Sequence, residues 1–460
     1  MSTSGSSFVI RHSSFPALLA ALGGFLLPWQ TVLILRPGML GGVPWPLATI
    51  GVYASDVVLL VAAVIGVMRA WRIGALPVAN PGGWPVLTRR RFLLAFGLLL
   101  SLAVVNAIVS ADQWLSVVGW LRIIALLLAL AGLPYSERAM RAFLGGFVVA
   151  MLGHVALGFW QFVALEALPS TLLGIARHNA WTLGDAVITA PGERWLRAYG
   201  GFPHPNVFGT ALLVALTIVA AARRDGSRVA RQQDMKASAS TTFPPRRQLI
   251  LAFAFCILTF ALVSSFSRSA LLGLLILLMV CTFQRAARRL AVVGAVTAAI
   301  GIAFTWSFWV PRVAMTNANE TRSRTERTDA FRSAGALLFE HPFIGVGLHA
   351  MPRALVERAS RGPANAGPLD PYAAQPVHSV PLLALAEIGP IGVLVLVLVL
   401  VTFLRHSSFV IRHSSFLLPL LPSFLLDHHL WSLPIGLALV FILAVSIRWQ
   451  APRVDPAPLL

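Results

Sequence analysis

The sequence predicts an all-α, polytopic integral membrane protein of about 12 transmembrane helices with a larger loop region on the outer side. Three observations predict it. Of its 460 residues, 57% are hydrophobic and only 12% charged, with a mean hydropathy of +0.79; a soluble domain carries roughly 25% charged residues. Apolar runs long enough to cross a bilayer recur from end to end. The basic residues gather in short stretches between those runs, as the positive-inside rule requires.

Read by apolar length, the spans fall at 15–35, 47–68, 92–111, 114–133, 142–165, 204–222, 249–266, 269–284, 290–310, 378–402, 415–427 and 430–447. The run 415–427 is short and holds Pro419 and Pro422, which makes the last pair the weakest. The flank of the first apolar stretch has Pro28-Trp29-Gln30 and no small-residue cleavage site, so it reads as a retained span. The spans divide the chain into residues 1–310 (nine helices), an outer loop with an amphipathic helix at 311–377, and residues 378–460 (three helices).

The formal net charge is +19, and Lys236 is the one lysine, so arginine supplies the rest of the 36 basic residues. Arg89-Arg90-Arg91, Arg223-Arg224, Arg246-Arg247 and Arg285 with Arg288-Arg289 mark the cytoplasmic side. With both termini inside, 36–46, 166–203 and 311–377 fall outside. A charge so placed is a topology signal and argues against nucleic acid as a partner. Cys256 and Cys281 both lie in apolar runs, and no metal-ligand or nucleotide-binding signature occurs, so no metal or cofactor is expected. SSFVIRHSSF stands at 6–15 and again, letter for letter, at 407–416. Structural repeats diverge while keeping a pattern; a perfect copy reads as a translated DNA repeat, dispensable for function.

Four segments concentrate the chemistry. GERWLRAYGGFPHPNVFG (192–209) places Arg194 and Arg197 before a glycine pair, and His204 and Asn206 at the opening of a span, where Asn206 can cap the helix. SSFSRSALLG (264–273) joins two spans with almost no loop and puts Arg268 at the junction. TRSRTERTDAFR (321–332) leads into AFRSAGALLFEHPFIGVGLHAM (330–351); its Arg324, Arg327 and Arg332 suit an anionic group or an interfacial basic face. VHSVPLLALAEIGPIG (377–392) opens an apolar helix with His378-Ser379. In a continuous helix His378 and Gly389, eleven residues apart, lie within about 20° of each other and Gly392 about 40° away, a stripe that admits a second helix. An imidazole at such a mouth is a proton-transfer candidate or simply part of a helix start.

In this order the four segments resemble the O-antigen ligase and polymerase superfamily of bacterial envelope enzymes. The resemblance is clearest from about residue 190 to 435. It rests on RAYGGFPHPNVFG, on SSFSRSALLGLL, on FRSAGALLFEHPFIGVGLHAM, and on His378-Ser379 followed by Gly389-x-x-Gly392. Phe331 stands where the family usually has tryptophan. The resemblance implies a metal-independent glycosyltransferase of the bacterial inner membrane, its active site facing the periplasm. It would move a glycan from an undecaprenyl-diphosphate carrier to a hydroxyl on lipid A-core, growing polysaccharide or protein. Carried over by motif, His378 is the candidate general base, Arg197 and Arg268 the diphosphate-binding pair, and Arg324, Arg327, His204 and Asn206 further substrate-binding candidates; Gly389 and Gly392 are helix-packing candidates. Asp56 and Arg122, charges inside predicted spans, keep a transporter or flippase open as the alternative. A non-catalytic scaffold is a second rival.

Overall fold

The computed structural model describes residues 15–73, 89–131, 136–182, 184–190, 193–234, 245–314, 318–361, 374–404 and 414–449. These residues are mostly helical: α1 (Phe15–Leu26), α2 (Ala54–Ile73), α3 (Arg89–Ile108), α4 (Gln113–Ala131), α5 (Glu137–Ala164), α6 (Pro205–Asp234), α7 (Pro245–Ser264), α8 (Arg268–Phe283), α9 (Arg288–Phe304), α10 (Trp306–Ala314), α11 (Ala318–Glu340), α12 (Met351–Ser360) and α13 (Val380–Leu404). Short helices at Leu421–Leu426 and His429–Ser432 precede a last long one, Pro434–Trp449. The strands among the described residues form four two-stranded sheets, all in connections between helices. Val32–Arg36 pairs with Ile50–Tyr53, and Val187–Ala190 with Glu193–Leu196, both antiparallel.

Among the described residues, four helices are long and apolar enough to cross a membrane: Gln113–Leu130, Glu137–Ala164, Pro205–Arg223 and Val380–Val401. The pair α9–α10, bent by 88°, makes a fifth if taken as one span. Six more apolar helices run 10–17 residues, short of the roughly 20 that a perpendicular crossing takes. Among the described residues, four or five spans thus meet the length and hydropathy of a crossing, fewer than the twelve apolar runs, and the reasons are local. The run 15–35 stops helically at Leu26, ahead of Pro28, and ends as a strand. The run 47–68 becomes helical only at Ala54, after the strand Ile50–Tyr53. The run 290–310 breaks at Thr305, and 415–427 is divided by its prolines into 3-10 turns and a six-residue helix.

Helix α6 is the hub. Its apolar part, Pro205–Arg223, is 94% buried, against 39–50% for the other three long spans. A helix apolar on all sides needs neighbours on all sides, and α5, α7, α8 and the last helix supply them. The outer helices turn large apolar side chains away from the protein: Leu249 is 71% exposed, Val292 65% and Phe304 80%. Such a surface suits lipid, not water.

Asp56 and Arg122 form a bidentate ion pair. Arg122 donates from Nε and Nη2 to the two carboxylate oxygens at 3.0 and 2.9 Å, and from Nη2 to the Gly51 carbonyl at 2.8 Å. The Tyr53 N–H closes on the same carboxylate at 3.0 Å. These bonds tie α2 and α4 to the first hairpin, which gives both charges a structural occupation.

Most of the two ten-residue copies, residues 6–14 and 407–413, lies outside the described residues. Their last residues take opposite surroundings: Phe15 is 64% exposed and Phe416 0%. Dispensability therefore does not extend to Phe416. Phe416→Ala is expected to cost about 3–5 kcal/mol of stability and Phe15→Ala within about 0.5 kcal/mol, read by thermal denaturation of the full chain in detergent.

Helix α13 is not continuous. Gly389 adopts φ 67° and ψ 171°, and Pro390 follows it. The break frees the carbonyls of Ala386 and Glu387, and the loop after α11 takes them: Val346 N–H donates to Ala386 at 3.0 Å and Gly347 N–H to Glu387 at 2.9 Å. Asn106 of α3 locks the junction. Its amide donates to the Ile344 and Glu387 carbonyls, both at 3.0 Å, and its oxygen accepts from Leu348 N–H and Trp120 Nε1, both at 2.9 Å. A side-chain amide has two donor protons and two lone pairs, so Asn106 is used completely. The expected glycine stripe is corrected accordingly. Gly389 lies against the Phe343–Ile344 backbone, not against a second helix, and a Cβ on Gly392 would meet Ile388 of its own helix.

Candidate functional site

Four segments far apart in sequence converge at one end of α6. The first is the entry to α6. Pro205 suits the first helical position because its missing N–H would have no partner there. His204 caps the helix: its carbonyl accepts from Val207 and Phe208, and its Nδ1 accepts from the Asn206 N–H at 3.1 Å. The expected cap, Asn206, is thereby released for other contacts. Its oxygen accepts from Arg197 Nη2 at 2.9 Å and its amide donates to Asp427 Oδ1 at 3.0 Å.

The second segment is the turn between α7 and α8. Phe266 takes a positive φ of 54°, and Ser267 caps α8 by accepting from Ala270 N–H. Arg268 is the first residue of α8, half-buried, and Ser269 donates to Asp427 Oδ2 at 2.6 Å. Arg197 is 4% exposed and folds into this turn, giving Nε and Nη2 to the Ser265 carbonyl at 3.0 and 2.9 Å. The third is α10 with α11. Arg312 Nε donates to the Phe266 carbonyl at 2.8 Å, and Arg268 Nη1 to the Arg312 carbonyl at 3.4 Å. Along α11, Arg324, Arg327, Thr328 and Phe331 share one helical face.

These segments enclose a half-open cavity of about 480 Å³, within the range of small-molecule sites. Arg268, Arg312, Arg324 and Arg327 line it, with Asp427, Asn206, Ser269 and an apolar margin of Leu272, Phe331 and Leu426. Four guanidiniums against one carboxylate make it strongly electropositive. Of the residues singled out from sequence, Arg268, Arg324, Arg327 and Asn206 meet here. Arg197 stands behind Asn206 and is not part of the lining; Arg194 instead donates to the Ala180 carbonyl at 2.9 Å. Arg332 pairs with Asp329 on an exposed face.

The fourth segment is Asp427-His428-His429, between the short helices. Trp431 Nε1 donates to the Glu387 carboxylate at 2.8 Å, fastening this segment to the break in α13. His429 Nε2 meets Thr210 Oγ1 at 3.0 Å, and Thr210 bonds Ser423 at 2.9 Å. Burial alone would raise the Asp427 pKa; His429, the Ser269 hydroxyl, His378 and Arg327 outweigh it and hold the carboxyl below its ordinary value. Asp427 is thus ionised at neutral pH.

His378 sits at the mouth of α13, with Ser379 just before the first helical residue as expected. The imidazole is half-buried, and its Nδ1 is enclosed without a hydrogen-bond partner among the described residues. Burial first, then Arg327, push its pKa down to about 4, so the ring is neutral at neutral pH. His378 is not among the lining residues, but its field reaches Asp427 and its ring packs on His428 with centroids 5.1 Å apart.

Asp427, His428 and Arg312 were not singled out from the sequence. Arg312 reads as the tail of a span, and Asp427 ends a proline-broken run with no pattern around it. A consecutive Asp-His-His next to apolar sequence was the one available signal.

Residues 253–397 match the family model described as O-antigen ligase, Wzy_C. That range holds Arg268, Arg312, Arg324, Arg327 and His378; Arg197, Asn206 and Asp427 lie outside it. No curated protein and no solved structure matches the chain.

Proposed function

The chain carries an O-antigen ligase-family domain over residues 253–397, and from that premise we propose that its arginine-lined cavity binds the diphosphate of an undecaprenyl-linked glycan and transfers the glycan to an acceptor hydroxyl at the periplasmic face. The observation that carries this reading is the convergence of Arg268, Arg312, Arg324 and Arg327 on one cavity. When the sugar–phosphate bond breaks, its electron pair leaves with the diphosphate. Guanidiniums fixed around that position stabilise the developing charge, most of all where water is partly excluded. The apolar margin suits the first isoprene units of the carrier. The acceptor oxygen forms the new bond to the sugar carbon, and its proton passes to His378, which is neutral and ready to receive it. The resulting imidazolium is formed in the field of ionised Asp427. Arg197 serves this site indirectly, by holding Asn206 and through it Asp427. The Asp56–Arg122 pair, which motivated a transport reading, is engaged in the bonds named above, which supports a structural role for both charges.

Binding of farnesyl diphosphate, which has the diphosphate and a prenyl chain but no sugar, tests the cavity's role. Arg268→Gln and Arg327→Gln in the purified full chain should each weaken it by about 10–100-fold, the range for losing a charge-assisted hydrogen bond. Unchanged affinity in both variants would contradict the assignment.

A further inference from the structure

Among the described residues, His378 Nδ1 lacks the bond that ordinarily aims a proton-transferring histidine. Such a ring is held through its second nitrogen by a carboxylate, a carbonyl or water. Here Nδ1 is enclosed and meets no partner among the described residues. What touches the ring is another ring: His428 stands edge-to-face with it, at 5.1 Å between centroids and 89° between planes.

His428 is itself locked. Its Nδ1 lies 2.6 Å from Ser432 Oγ. The same Oγ also approaches the His428 carbonyl at 3.2 Å. The short Nδ1–Oγ bond fixes the plane of the ring whichever atom carries its proton. The charged and titratable groups facing His428 are His378, His429, Asp427, Arg327 and His204. Burial first, then His378, depress its pKa well below the ordinary value, so it stays neutral. A neutral ring in edge-to-face contact works by shape.

We propose that His428 is a positioning residue for His378: locked by Ser432, its ring fixes the plane of the His378 imidazole and so aims Nε2 at the acceptor hydroxyl. The proposal rests on His378 as the base. The acceptor proton goes to His378 Nε2, and His428 exchanges none.

Because His428 acts by shape, phenylalanine should replace it and alanine should not. The full chain and its variants are expressed in their own host lacking the native copy, with surface glycan as the measure of transfer and farnesyl diphosphate as the probe of binding. His428→Ala should lower transfer about 10–100-fold, the cost of a misaimed group, with binding unchanged. His428→Phe should restore most of the transfer. Ser432→Ala keeps the ring but unlocks it and should fall between the two, which keeps the test informative if His428→Ala fails to accumulate. A His428→Phe variant as impaired as His428→Ala, or full transfer in His428→Ala or Ser432→Ala, would overturn the proposal. His378→Ala is the separating control: its full activity would overturn the base assignment, whereas its loss upholds that assignment whatever the His428 variants do.

Discussion

His378→Ala is expected to lower glycan transfer by roughly 10²–10⁴-fold, the usual contribution of a positioned general base, while the protein still inserts and accumulates. Its Nδ1 makes no hydrogen bond among the described residues that the substitution would break. The pH dependence should be distinctive. An imidazole with its ordinary pKa of about 6.5 would lose base function on mild acidification. With its pKa depressed to about 4, His378 remains unprotonated through the neutral range, so transfer should stay level and fall only as the pH approaches 4. The same depression has a sign for stability. The folded state binds the proton less well than the unfolded chain, so the contribution is complete above about 6.5 and is lost as the pH drops toward 4. His349, depressed to about 4 by burial and then Arg122, acts in the same direction. A rate series in the host-derived membranes, with thermal denaturation alongside, separates the two effects.

The second large effect lies in the backbone. Gly389→Ala should destabilise the fold by about 2–6 kcal/mol. Of this, about 1–3 kcal/mol comes from a side chain in a backbone region that only glycine readily adopts and about 1–3 kcal/mol from overpacking. The new Cβ would fall 2.2 Å from the Phe343 carbonyl oxygen, which cannot withdraw because Ile391 N–H donates to it and Asn106 pins the next residue. Gly392→Ala should be milder, because that Cβ meets the Ile388 side chain and not a backbone atom. Equal denaturation temperatures for the two variants would show that the junction of loop and broken helix yields.

The sites of charge in this chain were more legible than its spans. Apolar runs announced helices, and most appeared. Hydropathy does not register where a helix ends, however. Pro28, Thr305 and Gly389 shortened, bent or broke runs that composition treats as continuous. In the cavity, Arg268, Arg324 and Arg327 could be picked out because arginine at a tight turn or along one helical face has few structural uses. Arg197 shows the limit of that logic. It looks the same in sequence, but the Ser265 carbonyl and Asn206 occupy its fork, and no local pattern tells a guanidinium folded behind the cavity from one lining it. Asp427 lies 221 residues from the Asn206 that it bonds and 158 from Ser269. A contact of that separation is created by the packing of α6, α8 and the last helices and has no signature in any window of sequence.

The proposed joining of glycans at the cell surface through the arginine-lined cavity is tested most directly by deleting the gene in the host and separating surface polysaccharide on a gel. A changed ladder is expected: loss of all attached glycan marks a ligase, and collapse to single repeat units marks a polymerase. Restoring the wild-type chain should return the ladder, and restoring Arg268→Gln should not. An unaltered ladder in the deletion strain, or full restoration by Arg268→Gln, would contradict the account.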